Sequence, residues 1–376
     1  MNKSFPLLIL LIIASTVFIY NISKKNPYLS DSLFYTHYFY ELQGDSFEQA
    51  RQKVLINHHQ EWEDNIQRKI FEDEATYKNA YSFFIKRPLY PLMASVIYFF
   101  VRNEYLAFTV PMFLAYLGVI ISVHYLISRR LKPLYSILST AFLIAFPPFY
   151  IYSTFVMTDV IGLFFWFSNL IFAYKYLISK NQKWLVLFSL TIIVSLVNRE
   201  QGILMLPLFV IAAFFFKKFN FPKKVIITNY KLILIGLLVL AGYISLIYLT
   251  RQKTVWDTLI YYQNKFGTEN NTFTKTQTLV FFFDSVIRVH EGFIRGVKVH
   301  FWMIVFITAS IIESVRTVLS KSKNIIDILM ISSAIASYLA IFIIPIFNFR
   351  YFFPITISVL YFSAKFFQNY FEKDKA

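Results

Sequence analysis

The chain has 376 residues, 57% of them hydrophobic and 20% aromatic, with a mean hydropathy of +0.53, which excludes an ordinary soluble domain. Its net charge of +16 is spread over short connections between apolar stretches, so it follows the positive-inside bias of membrane proteins and forms no basic stripe for nucleic acid. With no cysteine, disulfides, thiolate metal sites and cysteine nucleophiles are excluded, and the nine glycines form no phosphate-binding loop.

Apolar stretches at 5–21, 105–127, 134–154, 160–178, 184–198, 202–216, 230–250, 297–318, 325–346 and 352–370 predict about ten membrane spans. The expected fold class is all-α, a polytopic transmembrane helical bundle forming one membrane-embedded domain over 1–376. Phe5 to Tyr20 follow Lys3 without a small-x-small cleavage site and read as an uncleaved first span. Every second connection is basic: Lys3, Arg129-Arg130-Leu131-Lys132, Lys180 to Lys183, Lys217 to Lys224, Lys321 to Lys323 and Lys373 to Lys375. Cytoplasmic loops carry the excess of Lys and Arg. Both termini are then cytoplasmic, and 22–104 and 251–296 are extracytoplasmic loops. The expected location is a bacterial plasma (inner) membrane.

Pro88 to Val101 is apolar too, but a helix of that length reaches only about 21 Å against a hydrocarbon core of about 30 Å. If it crossed, every later basic cluster would move outside, so it reads as a juxtamembrane or re-entrant helix. Earlier in the same loop, Ser46-Phe47-Glu48-Gln49 is a capping box. Phe47, Ala50 and Val54 share one face of the helix it opens, and Trp62, Ile66 and Ile70 repeat at helical spacing. Both helices are expected to lie on the membrane surface. The second loop, with Trp256, Asp257, Asp284, Arg288 and His290, is expected to pack against the bilayer as well.

The remaining connections hold the candidate functional residues. Asp31 follows the first span among aromatics and suits a general base, or the start of a helix through Tyr40. Asp45 reads as a helix N-terminal acid. Lys86 and Arg87 precede Pro88-Leu89-Tyr90-Pro91; they suit either lipid headgroups or a phosphate, for which Arg offers a bidentate fork. Asp159 interrupts the apolar run from Leu134 to Leu177, where an ionisable group points to function, or to a turn capping the next span. Arg199-Glu200 sits at the next turn, with a local ion pair as the alternative, and Arg350 sits at the last. His58-His59, His290 and His300 lack metal-ligand spacing, and Asn270-Asn271-Thr272 fits a glycosylation sequon.

In this order, Asp31-x-x-x-Tyr35, Arg87-Pro-Leu-Tyr-Pro91, Thr158-Asp159, Arg199 and Arg350-Tyr351-Phe-x-Pro354 resemble the integral-membrane glycosyltransferases of the GT-C class. The nearest resemblance is to bacterial members related to protein O-mannosyltransferases, glycosyltransferase family 39, and the lipid A aminoarabinose transferase. It is best over 5–205 and 350–354, and over 215–345 it is one of hydropathy only. It implies a helical bundle with juxtamembrane helices in the first outer loop. It also implies a polyprenyl-phosphate sugar donor and a glycan, lipid or protein hydroxyl acceptor. Asp31 would be the catalytic base and Asp159 a second acidic site residue. Arg87, Arg199 and Arg350 would hold the lipid phosphate, with Lys86 and Tyr90 beside them. A divalent cation, Mg or Mn, is compatible with the class. Two departures stand out: Ser32 follows Asp31 where relatives often have a second acid, and no soluble C-terminal domain is read. The competing expectations are a transporter or flippase of lipid-linked saccharides, which would place ionisable groups near the bilayer midplane, and a polymerase of them, which would also use outside arginines.

Overall fold

The structure is a computed structural model that describes residues 5–58, 70–264, 274–342 and 349–373. Lys3, His59, Trp62, Ile66, the Asn270–Thr272 sequon, Asn348 and Lys375 lie outside the described residues. Every regular element among the described residues is helical. In chain order these are α1 Phe5–Lys24, α2 Ser30–Leu42, α3 Phe47–His58, α4 Glu74–Tyr81, α5 Leu89–Val101, α6 Glu104–Ser128, α7 Pro133–Ala145, α8 Pro147–Ser153 and α9 Asp159–Ser179. They continue with α10 Gln182–Asn198, α11 Met205–Lys218, α12 Lys223–Leu249, α13 Val255–Gln263, α14 Lys275–Val299, α15 Met303–Leu319, α16 Ile325–Tyr338 and α17 Phe353–Lys373. Short 3₁₀ turns at Glu200–Leu204, Leu339–Phe342 and Phe349–Phe352 join some of them.

Among the described residues, six helices are long and apolar enough to cross a membrane, or up to eight if each of two bent pairs is one span. This is an integral membrane protein. Two of the stretches read as continuous spans are broken. Pro147 and Pro148 lack the backbone N–H a helix interior needs, and α7 and α8 meet there at 60°. The stretch 297–318 contains a turn at 300–302, where α14 meets α15 at 116°. At 17 residues, α10 stands at the lower limit for a full span.

The helix ends sort by charge. The helix α9 begins at Asp159 and ends before Lys180; α10 begins beside Lys183 and ends before Arg199. The helix α11 follows Glu200 and ends at Lys217 and Lys218, and α17 follows Arg350 and ends at Lys373. The candidate functional residues thus occupy one end of the bundle and the basic connections the other. The helix α5 has 13 residues, shorter than a full span, and packs on α6, where the Tyr90 hydroxyl donates to the carbonyl of Phe108 (3.1 Å).

The capping box closes as read: the Ser46 N–H donates to Gln49 Oε1 (2.9 Å) and the Gln49 N–H to Ser46 Oγ (3.4 Å). The face of α3 is corrected, however. Ala50 and Val54 are fully buried against the protein core, with Phe47 packed beside them, so this face is spent on protein rather than lipid. Ile70 likewise packs on the core. A row fit for the bilayer surface occurs instead on α14, where Leu279, Val280, Phe283, Ile287 and Ile294 are exposed at helical spacing.

The helix α2, which carries Asp31, is pinned on two sides. On one, Tyr77 and the His37 Nδ1 atom are hydrogen-bonded (2.8 Å), and Tyr81 donates to Glu41 beside His37. On the other, Tyr40 (2.6 Å) and Tyr28 (3.3 Å) donate to Glu104, which also faces His58 (3.4 Å). Burial opposes the charged form of Glu41, but the bonds from His37 and Tyr81 outweigh it and hold the carboxyl below its ordinary value. A carboxylate with a depressed value stabilises the fold above its unfolded value and loses that contribution as pH falls through the folded one. Tyr81→Phe is expected to cost about 1–3 kcal/mol at neutral pH, as for a hydrogen bond to a charged group. In thermal unfolding in detergent, the gap from wild type should narrow in acid; a constant gap down to the acid limit would show that the bond does not depend on the Glu41 charge.

Candidate active site at the helix ends

Six of the sequence candidates, Asp31, Lys86, Arg87, Asp159, Arg199 and Arg350, separated by up to 319 positions, meet in one cluster. Its centre is Asp159, the first residue of α9, where a negative charge also suits the helix N-terminus. Asp159 is buried, and its carboxylate pairs with Arg199 through one oxygen and with Arg350 (3.5 Å) through the other. Arg350 also pairs with Asp31 Oδ2 (3.0 Å) and points another nitrogen at the Met157 sulfur. Asp31 lies in the first turn of α2 but is not its cap. Its side chain is 37% exposed, against 3% for Asp159, so the two acids differ sharply in access.

The second half of the cluster gathers on Glu200. Arg87 donates to its Oε2 from two nitrogens (2.8 and 3.2 Å), and Lys86 pairs with its Oε1 while donating to the Lys253 carbonyl (3.0 Å). Tyr35 joins the halves: its hydroxyl lies 3.3 Å from Thr158 Oγ1 and accepts from Arg87 (3.4 Å). Asp31 and Tyr35 are four apart on α2, which puts both on one face. Among the described residues, four cations, Lys86, Arg87, Arg199 and Arg350, face three carboxylates, Asp31, Asp159 and Glu200. A small cleft opens against the first half, lined by Asp159, Gly162, Trp166, Gln201, Arg350 and Pro354.

The local chain path explains who pairs with whom. Arg199 is extended (φ −165°, ψ 140°) between α10 and the 3₁₀ turn, so adjacent side chains diverge. The local Arg199–Glu200 pair is therefore not formed: Arg199 turns to Asp159 and Glu200 to Lys86 and Arg87. Gly202 lets the turn fold back on α10, since a Cβ there would lie 2.9 Å from Ser195 Oγ and 3.1 Å from the Leu196 backbone nitrogen. Asn198 fastens the next loop by donating to the Thr158 carbonyl (3.1 Å).

Tyr90 is not brought to the cleft; it is fully buried, bonded to Phe108 and packed on the Tyr35 ring (5.9 Å). Asp45 pairs with Lys53 (2.6 Å) away from the cluster. In the second loop, Asp257 caps α13 with Thr254, Asp284 pairs with Arg288 on α14 (2.6 Å), and His290 reaches the Tyr338 hydroxyl (2.6 Å). Among the described residues, no three His, Asp or Glu side chains are grouped to hold a metal ion. The cluster's acids are each turned to arginine or lysine, a donor set that does not suit a resident divalent cation. Sequence reading had no role for Tyr35, Gln201 or Trp166 and missed the part of Glu200; the one available signal was the Asp31-x-x-x-Tyr35 spacing. No protein-family model matches the chain, and no curated protein matches it.

Removing one partner of a buried ion pair leaves an uncompensated charge, at a cost of about 3–5 kcal/mol. Asp159→Asn is expected to lower the unfolding temperature accordingly, and adding Arg199→Gln should restore part of the loss. If the two losses simply add in a double-mutant cycle, the pair is not coupled.

Proposed function

We propose that the chain is a GT-C-class membrane glycosyltransferase that moves a sugar from a polyprenyl-phosphate donor to a hydroxyl acceptor. The observation that carries this reading is the convergence of Asp31, Arg87, Asp159, Arg199 and Arg350 beside one cleft at the ends of the membrane helices. In it, α1, α6, the bent α7–α8 pair, α9 to α12 and α15 to α17 make ten crossings. The basic connections face the cytoplasm with both termini, and the cluster faces the other side of a bacterial inner membrane.

The chemistry follows from the unequal acids. Asp31 is accessible and hydrogen-bonded through Oδ2. Its other oxygen accepts the proton of the acceptor hydroxyl as that hydroxyl's oxygen attacks the anomeric carbon. The bond from that carbon to the phosphate oxygen breaks, and the electron pair leaves with the phosphate. The guanidinium groups of Arg87, Arg199 and Arg350 stabilise the phosphate as its charge develops. Asp159 is enclosed between two guanidinium groups, so it anchors Arg199 and Arg350 rather than exchanging a proton. The transporter reading would want these charges near the midplane, and here they stand at helix ends.

With a radiolabelled polyprenyl-phosphate sugar, Asp31→Asn is expected to cut transfer by at least about a hundredfold, in line with general-base contributions, while donor binding persists. Near-normal turnover would remove Asp31 from the mechanism. Arg350→Lys should weaken donor binding despite keeping its charge, because Lys lacks the fork. The orientation is checked separately. Single cysteines at Ser46 and Ser128, in a chain with no native cysteine, should react with an impermeant thiol reagent in intact cells at 46 and not at 128. The opposite pattern would invert the arrangement.

A further inference from the structure

At the opposite end of the bundle, the ends of α6 and α9 and the start of α10 form a niche of three cations around two aromatic rings. The Arg129 guanidinium lies 4.5 Å from the centre of the Tyr125 ring. Lys175 Nζ lies 5.2 Å from the same ring and 4.1 Å from that of Trp184, and Lys183 Nζ lies 4.8 Å from Trp184. Phe172 stacks behind Trp184 at 6.0 Å. Neighbouring cations on this end have acidic partners: Arg130 faces Asp327 (3.8 Å), Lys132 pairs with Glu372, and Arg316 faces Glu313 (3.8 Å). Arg129, Lys175 and Lys183 form no ion pair with a described residue.

Helix electrostatics account for one of the three. Arg129 caps the C-terminus of α6, where a cation is favoured. Lys183 is in the first turn of α10, a helix whose N-terminus favours an anion and disfavours a cation. Three cations around two rings and that helix end make a positive site without a counter-ion among the described residues. Tyr and Trp at such a level mark the membrane–water interface, which fixes the depth at which a ligand would meet them. Half-buried Lys175 and Trp184 form the floor, and exposed Arg129 and Lys183 form the rim.

We propose that this niche binds the phosphate headgroup of an anionic glycerophospholipid in the leaflet on the basic side. The phosphate sits among the three cations, and the glycerol and first acyl carbons lie along Trp184 and Phe172. The proposal is independent of any reaction at the other end.

The test uses the full chain in phosphatidylcholine nanodiscs doped with phosphatidylglycerol, with lipid retention read by native mass spectrometry. Wild type is expected to keep phosphatidylglycerol over phosphatidylcholine by at least about tenfold, in keeping with several cations at an anionic headgroup. The triple variant Arg129→Gln, Lys175→Gln, Lys183→Gln should lose that preference while keeping the wild-type unfolding temperature in phosphatidylcholine alone. Should the triple variant fold poorly, Lys183→Gln alone, at the exposed rim, should still reduce retention severalfold. A control pair on another basic connection, Lys217→Gln with Lys224→Gln, should leave it unchanged. Equal retention in wild type and the niche variants, or equal loss in the control pair, overturns the site. Full displacement of the lipid by inorganic phosphate alone would overturn the choice of a lipid ligand.

Discussion

A carboxylate enclosed at the head of a membrane-spanning helix must have its charge met inside the protein, because neither lipid nor water is there to meet it. Asp159 is that carboxylate, and Arg199 and Arg350 are what meets it. The pairing fixes more than two side chains. It holds the end of α10 and the turn before α17 against the head of α9, and through Arg350 it reaches Asp31 at the head of α2. Four chain segments that share no sequence proximity are joined by one negative charge. A well-packed apolar replacement of such a network is often as stable, so what the network supplies is a fixed arrangement of segments rather than net stability.

The two halves of the cluster divide the work. Glu200 gathers Lys86 and Arg87 from the first loop, and Asp159 gathers the arginines from the membrane helices. Tyr35 touches both, since its hydroxyl meets Thr158 beside Asp159 and Arg87 beside Glu200. The first loop must therefore be held still. The buried His37–Tyr77 and Tyr40–Glu104 contacts on the flanks of α2 do this with uncharged donors, which suit a half-buried surface better than further ion pairs would.

The helices were legible in the sequence because apolar length and basic connections are local signals. The alternation of Lys180 and Lys183 with Asp159 and Arg199 along two consecutive helices is enough to sort the ends. What periodicity cannot say is against what a face is buried. Phe47, Ala50 and Val54 read as a membrane-surface stripe and pack instead on protein, a choice made by residues far along the chain. Breaks were also hidden: Pro147 lies in a run apolar enough to look continuous. At the site, each charge stood out against its apolar surroundings, but the partners did not. Asp31 and Arg350 are 319 positions apart, and no local pattern records that distance. Adjacency misled at Arg199-Glu200, because an extended backbone sends neighbouring side chains to opposite sides.

The helix α17 is held by polar bonds at both ends. It is not among the six that are long and apolar enough to cross on composition alone. Within it, buried Lys365 donates to Asp327 (2.9 Å) and Thr317 (2.8 Å) and faces Glu313 (3.5 Å), while Tyr361 donates to Asp327. These bonds tie α17 to α15 and α16 near the basic end, and Gln368 accepts from the Lys132 N–H of the connection between α6 and α7 (2.8 Å). At its other end Arg350 is held by Asp31 and Asp159. Helices placed by apolar matching alone can slide and tilt at modest cost. Two sets of polar bonds at opposite ends remove that freedom, so the depth at which Arg350 meets the cleft is set by the Lys365 network as much as by its own partners.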